Sequence, residues 1–405
     1  MYGSYGVVLL NKEIYIVDGA RIPIGKFGKS LAHLSAVDLG VQAVRALFKR
    51  TEINPSHIDL IIMGQVLRAG TGQLTARQVA VKVGLPLYTP AMNVDMVCAS
   101  SMLAIVIGVL HIAMGVYDLI IAGGMESMSN APFIIPAKAR WGLRHFVLKQ
   151  GCGTFYDSMV IDGLWDPILN LGMGLEADKV ARHYGATKEE LDWIGYESHR
   201  KAAQAWSNGV IKKYVEPVVV NGKILLDKDE GIRKELTLEE ARNSPPVFSN
   251  DGLHTVISSS QLSDGAAAIL LASKEAVKKL GLEPKARIVD FVYTARETWE
   301  FIVASIDAAK KVLEKAGWSI DKVDFWEINE AFAVNVFLTH KLLGIPYEQI
   351  NVHGGAIAIG HPIGASGARI VIELINVLET YKGTRGIASI CHGTGGAIAL
   401  AIELL

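Results

Sequence analysis

The residue best suited to covalent chemistry is Cys98, a cysteine between a short apolar segment and a run of helix-forming residues. Residues 93–97 lead into it and the apolar stretch 102–107 follows, so we expect a strand or loop that feeds a helix with Cys98 at its start. The first turn of a helix has unpaired N–H groups and a partial positive charge, which favour the reactive thiolate. Cys98 is therefore a candidate nucleophile, although taken alone the stretch also fits a buried structural cysteine.

Three further polar residues, nearer the C-terminus, suit proton transfer or charge stabilisation. Asn329 follows an apolar segment, where it either caps a helix or serves a site. His361 lies in the loop 354–367 among five glycines. That loop has neither a GxGxxG pattern nor a Walker lysine, which favours proton transfer by a constrained histidine over phosphate binding. Cys391 lies at a strand-to-turn position within residues 389–396, an unusual use of a scarce residue type.

Composition and charge exclude several classes of protein. The chain has 405 residues, 40 Lys+Arg against 41 Asp+Glu, and three cysteines, of which we interpret Cys152 as structural. The balanced charge predicts no nucleic-acid partner and no basic membrane-binding patch. The low, odd cysteine count without a CxxC pair argues against disulfides and zinc and for a reducing compartment. No signal peptide is recognisable and residues 115–118 interrupt the apolar stretch 103–125, so we expect a cytoplasmic protein without a membrane span.

The order of apolar segments in the first half of the chain recurs in the second half. Four pairs of segments correspond: 58–64 with 323–329, 93–94 with 351–352, 120–124 with 387–391, and 265–271 with 396–402. A short glycine-rich turn separates the last two segments in the second half, whereas residues 125–263 separate them in the first. The simplest explanation is a duplicated unit with a domain inserted into its first copy.

Strands that alternate with helices in two duplicated units predict an α/β fold with mixed sheets covered by helices. We divide the chain into an N-terminal core half (1–124 and 261–284), an inserted loop domain (125–260) and a C-terminal core half (285–405). Charge rises in the inserted segment and helical patterns appear there, which fits a separate unit.

The duplication also predicts which side chains meet. Cys98 and the loop that carries His361 occupy equivalent places in the two halves, and Asn329 and Cys391 lie at the ends of repeated strands. Ligands of α/β proteins bind at strand ends and at the seam between halves. We therefore expect these four residues to share one site, although they are far apart in the sequence.

Five short motifs, taken together, resemble the ordered signatures of thiolases. They are Val-Cys-Ala-Ser at 97–100, Gly-Gly-Met-Glu-Ser-Met-Ser at 123–129, Asn-Glu-Ala-Phe at 329–332, Gly-His-Pro at 360–362 and Cys-His-Gly at 391–393. The resemblance covers essentially the whole chain. It implies a duplicated thiolase-like core with an inserted coenzyme A-binding loop domain, in agreement with the repeat.

The resemblance implies a role for each of the candidate catalytic residues. Cys98 would take an acyl group as a thioester, and His361 would accept its proton and help to hold the thioester oxygen. Cys391 would remove or return the α-proton of the second acyl-CoA. Asn329 would position a water in an oxyanion site shared with His361, and the N–H groups of Cys98 and Gly393 would form a second oxyanion hole. Base and donors must act together because the α-proton of a thioester is weakly acidic.

The substrates implied by the resemblance are coenzyme A and its thioesters acetyl-CoA and acetoacetyl-CoA, so neither a separate cofactor nor a metal is expected. The residues implied in CoA binding are Arg233, Ser260, Met173, Ala331 and Phe332. Taken alone, Arg233 also fits an exposed structural arginine. Some nearby positions depart from the family pattern, with His353 in place of asparagine and Gly172 in place of histidine. We expect these departures to surround the acyl and pantetheine groups and to affect substrate range.

The expected activity is that of an acetyl-CoA C-acetyltransferase, the reversible Claisen condensation of two acetyl-CoA to acetoacetyl-CoA and CoA through an acyl-cysteine. A degradative 3-ketoacyl-CoA thiolase for longer chains remains open, and a non-catalytic CoA- or lipid-binding scaffold is the alternative from another class. Cys391 disfavours a decarboxylating ketoacyl synthase, since such enzymes tend to pair the nucleophile with two histidines or with His and Asn. The resemblance also implies a homo-oligomer, dimer or tetramer, with residues 132–156 in the place of a tetramerisation loop.

Overall fold

The computed structural model of the chain describes residues 12–141 and 155–405. Cys152 lies outside the described residues, as does the part of the expected tetramerisation loop from 142 to 154. Within the described ranges no helix is long and apolar enough to cross a membrane. The apolar stretch 103–125 forms most of a buried helix and most of a buried strand instead, as expected.

Helices account for much of the described chain, and some of them begin with a capping box. The α-helices are α1 (Ala36–Thr51), α2 (Thr75–Lys82), α3 (Ser100–Ala113), α4 (Met173–His183), α5 (Lys188–Ser207), α6 (Leu238–Asn243), α7 (Lys274–Leu280), α8 (Phe301–Ala316), α9 (Ala333–Leu343), α10 (Ala356–Ile359) and α11 (Ser366–Tyr381). Ser35 caps α1 through a capping box with Asp38. Thr187 and Glu190 form the same arrangement at the start of α5.

The strands of the loop segment are all short, whereas the longest strands belong to the core. They are β1 (Ile14–Arg21), β2 (Gly25–Lys26), β3 (Leu60–Gly64), β4 (Ala91–Val94), β5 (Leu119–Ser127), β6 (Phe133–Ile134), β7 (Tyr156–Asp157), β8 (Trp165–Asp166), β9 (Leu171–Gly172), β10 (Val218–Val220), β11 (Lys223–Leu226), β12 (Ser263–Ser273), β13 (Ala286–Ala295), β14 (Phe325–Ile328), β15 (Arg385–His392) and β16 (Gly396–Leu404). All residues of β3, β5 and β12 are buried, which explains why these segments read as apolar without alternation.

One mixed sheet joins the two halves of the core. Its strand order is β14-β15-β16-β13-β1-β12-β5-β3-β4, with β2 added beside β12. The pairs β3–β5 and β3–β4 are parallel, as is β14–β15, whereas the strands between them are antiparallel. An isolated parallel bridge between Trp326 and Ile350 takes the place of β4 in the second half. The predicted α/β fold with a duplicated core and mixed sheets is therefore confirmed.

Two helices, α3 and α11, lie between the halves of the sheet. One hydrophobic core contains residues of both helices together with residues of both sheet halves, such as Ile120 and Ile390. Helices α1 and α2 pack on the outer face of the N-terminal half, and α8 and α9 on the outer face of the C-terminal half. Both central helices start at the same end of the sheet. The loop with Cys98 precedes α3 and the loop with His361 precedes α11, so the two loops meet there although they are distant in the sequence.

Glycines allow the backbones of the two halves to touch at this seam. A Cβ on Gly124 would lie 2.0 Å from the carbonyl oxygen of Gly364, and one on Gly367 would lie 2.5 Å from the main-chain nitrogen of Met102. Neither backbone could move away without disturbing β5 or the contact of α11 with α3. Any larger residue at Gly124 or Gly367 would therefore displace the loop that carries His361.

Residues 128–262 connect β5 to β12, which are adjacent antiparallel strands. A buried bidentate ion pair between Arg21 and Asp229, at 2.7 and 2.8 Å, ties this segment to β1. Ser198 on α5 donates a hydrogen bond to Glu330 at 2.6 Å and so ties it to the C-terminal half. The boundaries at 125 and 260 remain our proposal for the inserted domain.

Candidate active site

A narrow cavity lies where the loop segment meets the two core halves. Eight of the ten residues singled out in the sequence line it: Cys98, Met173, Ser260, Ala331, Phe332, His361, Cys391 and Gly393. Asn329 lies behind the wall, and Arg233 lines a second cavity that shares Ser260 with the first. The structure thus brings together residues from both halves and from the loop segment.

Cys98 lies just before α3 and not within its first turn, because Ala99 is the N-cap residue. The turn is sharp: Val97 has a φ of 48°, which a β-branched residue rarely adopts. Its carbonyl accepts hydrogen bonds from the N–H and the hydroxyl of Ser100, at 3.1 and 2.6 Å. This strained turn presents the thiol of Cys98 to the cavity at the N-terminus of α3.

The expectation that Cys98 rests as a thiolate is wrong. Burial, and then the neighbouring Cys391, raise the pKa of the Cys98 thiol well above its usual range. Hydrogen bonds from the main-chain N–H groups of Cys98 and Gly393 oppose this rise. The effect of desolvation on the pKa of Cys98 is therefore larger than that of the partial positive charge at the helix N-terminus. The cysteine needs a base before it can act as a nucleophile.

His361 is held in one tautomer by Ser366. The Ser366 hydroxyl donates its single proton to the carbonyl of Pro362 at 3.0 Å, so at 2.6 Å it accepts the proton of His361 Nδ1. We assign the proton to Nδ1 on this basis, which leaves Nε2 with a lone pair. Burial, and then the charge of Arg369, lower the pKa of His361 to about 3. The ring is therefore neutral near pH 7 and can accept a proton at Nε2.

Asn329 directly follows β14 and lies behind His361. Its main-chain N–H donates to the carbonyl of Ser389 at 2.9 Å, which fixes it beside β15. Arg369 Nη2 donates to its side-chain oxygen at 3.2 Å, and its Nδ2 lies 3.5 Å from His361 Nε2. That distance is long for a hydrogen bond, but catalytic contacts are often long before substrate binds.

Cys391 is the second thiol of the cavity and is 1% exposed. Asn335 on α9 donates from Nδ2 to its sulfur at 3.3 Å. The orientation of that amide is fixed, because its Oδ1 accepts the N–H of Phe332 at 3.0 Å. Burial raises the pKa of Cys391 to about 11, and the Asn335 hydrogen bond works against that rise.

The turn after Cys391 aims the N–H of Gly393 at the cavity. Thr394 and Gly395 both have positive φ, at 66° and 88°. The carbonyl of Gly393 accepts hydrogen bonds from His392 Nδ1 at 2.7 Å and from the Thr394 hydroxyl at 2.5 Å. Two side chains thus fix the carbonyl of Gly393, whose N–H acts to lower the pKa of the Cys98 thiol.

Glu126 ties the His361 loop to the N-terminal half. Its buried carboxylate on β5 accepts the N–H groups of Val66 and Gly364, each at 3.0 Å, and of Leu67 at 3.2 Å. Burial raises the pKa of Glu126 to about 8, although the three N–H groups favour the ionised form. The side chain thus bridges loops of both core halves.

The second cavity opens toward solvent beside the first. Its wall includes Arg233, Lys26 and Phe27, so the N-terminal core contributes as well as the loop segment. Ser260 lines both cavities, and its N–H donates to the carbonyl of Ala331 at 3.0 Å. A ligand with an anionic end and a narrow arm could therefore reach from Arg233 to the thiols.

Sequence reasoning missed Ser366, Arg369 and Asn335, which contact the candidate residues rather than the cavity. Each is a buried polar or charged residue on α9 or α11, and no local pattern distinguishes it from the other polar residues of these helices. The expectation for His353 is wrong: it lines neither cavity and bonds Glu373 at 2.6 Å in the interior. Among the described residues, no group of three or more His, Cys, Asp or Glu could hold a metal.

Comparison with known proteins agrees with this arrangement over nearly the full chain. The profile of the thiolase N-terminal domain matches residues 14–275, and that of the thiolase C-terminal domain matches residues 282–404. An acetyl-CoA acetyltransferase of Synechocystis is 40% identical over 395 residues, which cover 97% of this chain and 99% of the relative.

Solved structures give the same result. A thiolase from Ascaris suum in complex with coenzyme A superposes with a TM-score of 0.91 at 39% identity, covering 97% of this chain and 100% of that one. Human mitochondrial 3-ketoacyl-CoA thiolase in complex with CoA gives a TM-score of 0.92 at 32% identity, with coverage of 98% and 99%. The chain belongs to the thiolase family.

Proposed function

We propose that this protein is an acetyl-CoA C-acetyltransferase, which condenses two acetyl-CoA to acetoacetyl-CoA and CoA and runs the reverse thiolysis. The observation that carries the proposal is that two thiols and a neutral histidine line one cavity. A non-catalytic scaffold would have no need of a histidine held by Ser366 in the tautomer that can accept a proton. The acetyltransferase relatives at about 40% identity support the acetyl group as the substrate.

The first half-reaction transfers the acetyl group to Cys98. The thiol gives its proton to His361 Nε2 as the sulfur attacks the thioester carbonyl, and the departing CoA sulfur takes that proton back. The oxyanion that forms needs donors already aimed at it. We assign the N–H groups of Cys98 and Gly393 to the oxyanion of the Cys98 thioester, because both favour negative charge at the Cys98 side chain.

The second half-reaction forms the carbon–carbon bond. Cys391, as thiolate, removes an α-proton from a second acetyl-CoA, whose carbon attacks acetyl-Cys98. The proton passes to the departing Cys98 sulfur, which regenerates the thiol. Negative charge on the enolate oxygen would be met by a water held by Asn329, whose amide lies beside His361 Nε2. Covalent capture thus divides the condensation into two easier steps.

We propose that the CoA nucleotide binds in the second cavity, on the inserted domain at 125–260, and that the pantetheine arm passes Ser260. Arg233 would attract the phosphates, whereas the apolar wall of the catalytic cavity suits the thioester end. Met173, Ala331 and Phe332 would contact the arm near the thiols, since all three line that cavity. A CoA complex with the nucleotide on the C-terminal half would contradict this assignment.

A substrate panel assayed in both directions tests the proposed function. Thiolysis of 3-ketoacyl-CoA of four carbons should exceed that of six and longer chains, and acetyl-CoA alone should give acetoacetyl-CoA. A preference for long chains would favour the degradative 3-ketoacyl-CoA thiolase. No turnover in either direction, with CoA still bound, would favour the scaffold. We also propose a cytoplasmic homo-oligomer, dimer or tetramer, as the family resemblance implies.

A further inference from the structure

A layer of buried charges lies behind the catalytic cavity, and Arg369 is its member closest to the candidate site. Arg369 is 1% exposed and lies on α11, eight residues after His361. Charged groups face it from several elements: Glu327 on β14, Glu330 just after it, Glu373 one turn along α11, and Arg21 on β1. A buried guanidinium is costly unless it is paired, so its place here calls for an explanation.

The hydrogen bonds around Asn329 have only one consistent direction. A guanidinium has donors and no acceptor, so the Asn329 atom facing Arg369 Nη2 at 3.2 Å is the side-chain oxygen. The amide nitrogen is then the atom that faces His361 Nε2. Without Arg369 the amide could turn over and present its oxygen to Nε2, which would place two acceptors face to face.

We propose that Arg369 is a positioning residue for the thiolase reaction: it fixes the amide of Asn329 with its nitrogen toward His361 and the substrate. The inference rests on the proposed function. In this proposal the guanidinium of Arg369 determines how the Asn329 amide is oriented, and that amide would hold the water that meets the enolate oxygen. The positive charge also disfavours protonation of His361, which keeps Nε2 available as a base.

A purely structural role for Arg369 makes a different prediction. If the arginine only neutralised Glu327 and Glu373, its removal would lower the melting temperature and leave the contribution of Asn329 to turnover intact. If it acts through Asn329, the two residues form one unit whose effects on turnover do not add. A double-mutant cycle with Arg369→Met and Asn329→Ala separates these cases.

In the cycle, Arg369→Met should lower kcat for condensation by about 10²-fold, the size of effect that a misplaced catalytic group produces. KM for acetyl-CoA should change by less than about twofold, since no substrate contact is lost. In the Asn329→Ala background the same change should have little further effect on kcat. Arg369→Lys keeps a donor and the charge, so kcat should fall less in this variant than in Arg369→Met. Full additivity, or wild-type turnover of Arg369→Met, would overturn the inference.

Two further measurements exclude trivial explanations. The rate of Cys98 acetylation falls at low pH, where His361 becomes protonated. In Arg369→Met this fall, the acid limb, should move to higher pH, because loss of the charge lets the pKa of His361 rise. Arg21→Met is the matched control: Arg21 is also buried but pairs with Asp229. It should lower stability without moving that limb, and its effect on kcat should add to that of Asn329→Ala.

Asn329→Asp keeps the test decisive if Arg369→Met does not fold. A carboxylate in contact with Arg369 gains an ion pair, so the Tm should stay within about 3 °C of wild type while condensation is lost. A larger fall in Tm would mean that the carboxylate is buried without a partner, which overturns the inference. The Tm does not depend on the reaction. An inactive wild-type protein would therefore contradict the proposed function, while the Tm of Asn329→Asp would still test the contact between Arg369 and Asn329.

Discussion

The side-chain nitrogen of Asn335 donates a hydrogen bond to the sulfur of Cys391 at 3.3 Å. It is the only side chain in the described part of the chain that bonds this thiol, whose pKa burial raises to about 11. A hydrogen bond from a neutral donor stabilises the thiolate more than the thiol and so lowers the pKa. Asn335 therefore sets how readily Cys391 can serve as a base toward carbon.

Replacing Asn335 should shift the pH dependence of condensation. Asn335→Asp keeps the oxygen that accepts the Phe332 N–H, so α9 keeps its start. It exchanges the donor to Cys391 for a negative charge, and both changes raise the pKa of the thiol. The rate of α-proton exchange into acetyl-CoA rises with pH as Cys391 ionises. The pH at which this rate is half-maximal should therefore increase, and the rate at pH 7 should fall. Acetylation of Cys98, measured in the same protein, should be unchanged; an unshifted midpoint would contradict the assigned contact.

Cys391→Ala should separate the two half-reactions. Under the proposed function Cys391 acts on carbon, so burst acetylation of Cys98 should survive its removal, while solvent deuterium exchange into the acetyl methyl should fall by about 10²–10⁴-fold. Mass spectrometry of a quenched digest and of the recovered acetyl-CoA measures both quantities. If acetylation and exchange fall together, or if neither falls, Cys391 does not have this role.

Cys98 should carry the acetyl group when the protein is incubated with acetyl-CoA alone. Cys98→Ser keeps a hydroxyl in place of the thiol but is a much poorer leaving group in the condensation step, so turnover should be lost. Cys391 remains in this variant as an internal control for non-specific acetylation. A Cys98→Ser protein with wild-type turnover would exclude the covalent intermediate.

The fold could be predicted largely because duplication and buried strands leave a visible pattern. Strands such as β5 and β12 are buried along their whole length and contain long apolar runs without alternation, and the capping box at Ser35 marks the start of α1. The domain boundaries remain our interpretation. The close approach of Gly124 to Gly364 could not be predicted, because it depends on how the halves pack.

The candidate site was predictable in its residue types but not in its electrostatics. Cys98 precedes a helix, which suggested a stabilised thiolate, yet the cavity is so enclosed that desolvation dominates and its pKa rises. Arg369 and Asn335 contact catalytic candidates from elements distant in sequence, so no local pattern identifies them. His353 drew notice as a departure from the family but lies in a buried pair with Glu373, away from the cavity.

Ser366 should determine how well His361 serves as a base. Ser366→Ala removes the acceptor for Nδ1–H, so the ring can adopt the tautomer with its proton on Nε2, which cannot take the proton of Cys98. Acetylation should slow by about tenfold or more, a fraction of what a general base supplies. The acid limb should stay low, since burial still holds the pKa of His361 near 3. Ser389→Ala, which loses a buried hydroxyl bonded to the Ser305 carbonyl at 2.8 Å, is the control for general destabilisation.

Arg233 should recognise the nucleotide of CoA and contribute little to the chemistry. Its side chain lines the second cavity, while its main-chain N–H bonds His199 at 3.1 Å and is unaffected by substitution. Arg233→Gln should raise KM for acetyl-CoA by about tenfold, equivalent to about 1.4 kcal/mol, with kcat unchanged. Acetyl-pantetheine lacks the nucleotide, so its KM should be the same in wild type and variant. Lys234→Gln, one residue away with an exposed side chain paired to Glu235, is the matched control and should change neither value. An equal rise in KM for both substrates would show that Arg233 supports the fold of the loop segment and does not bind the phosphates.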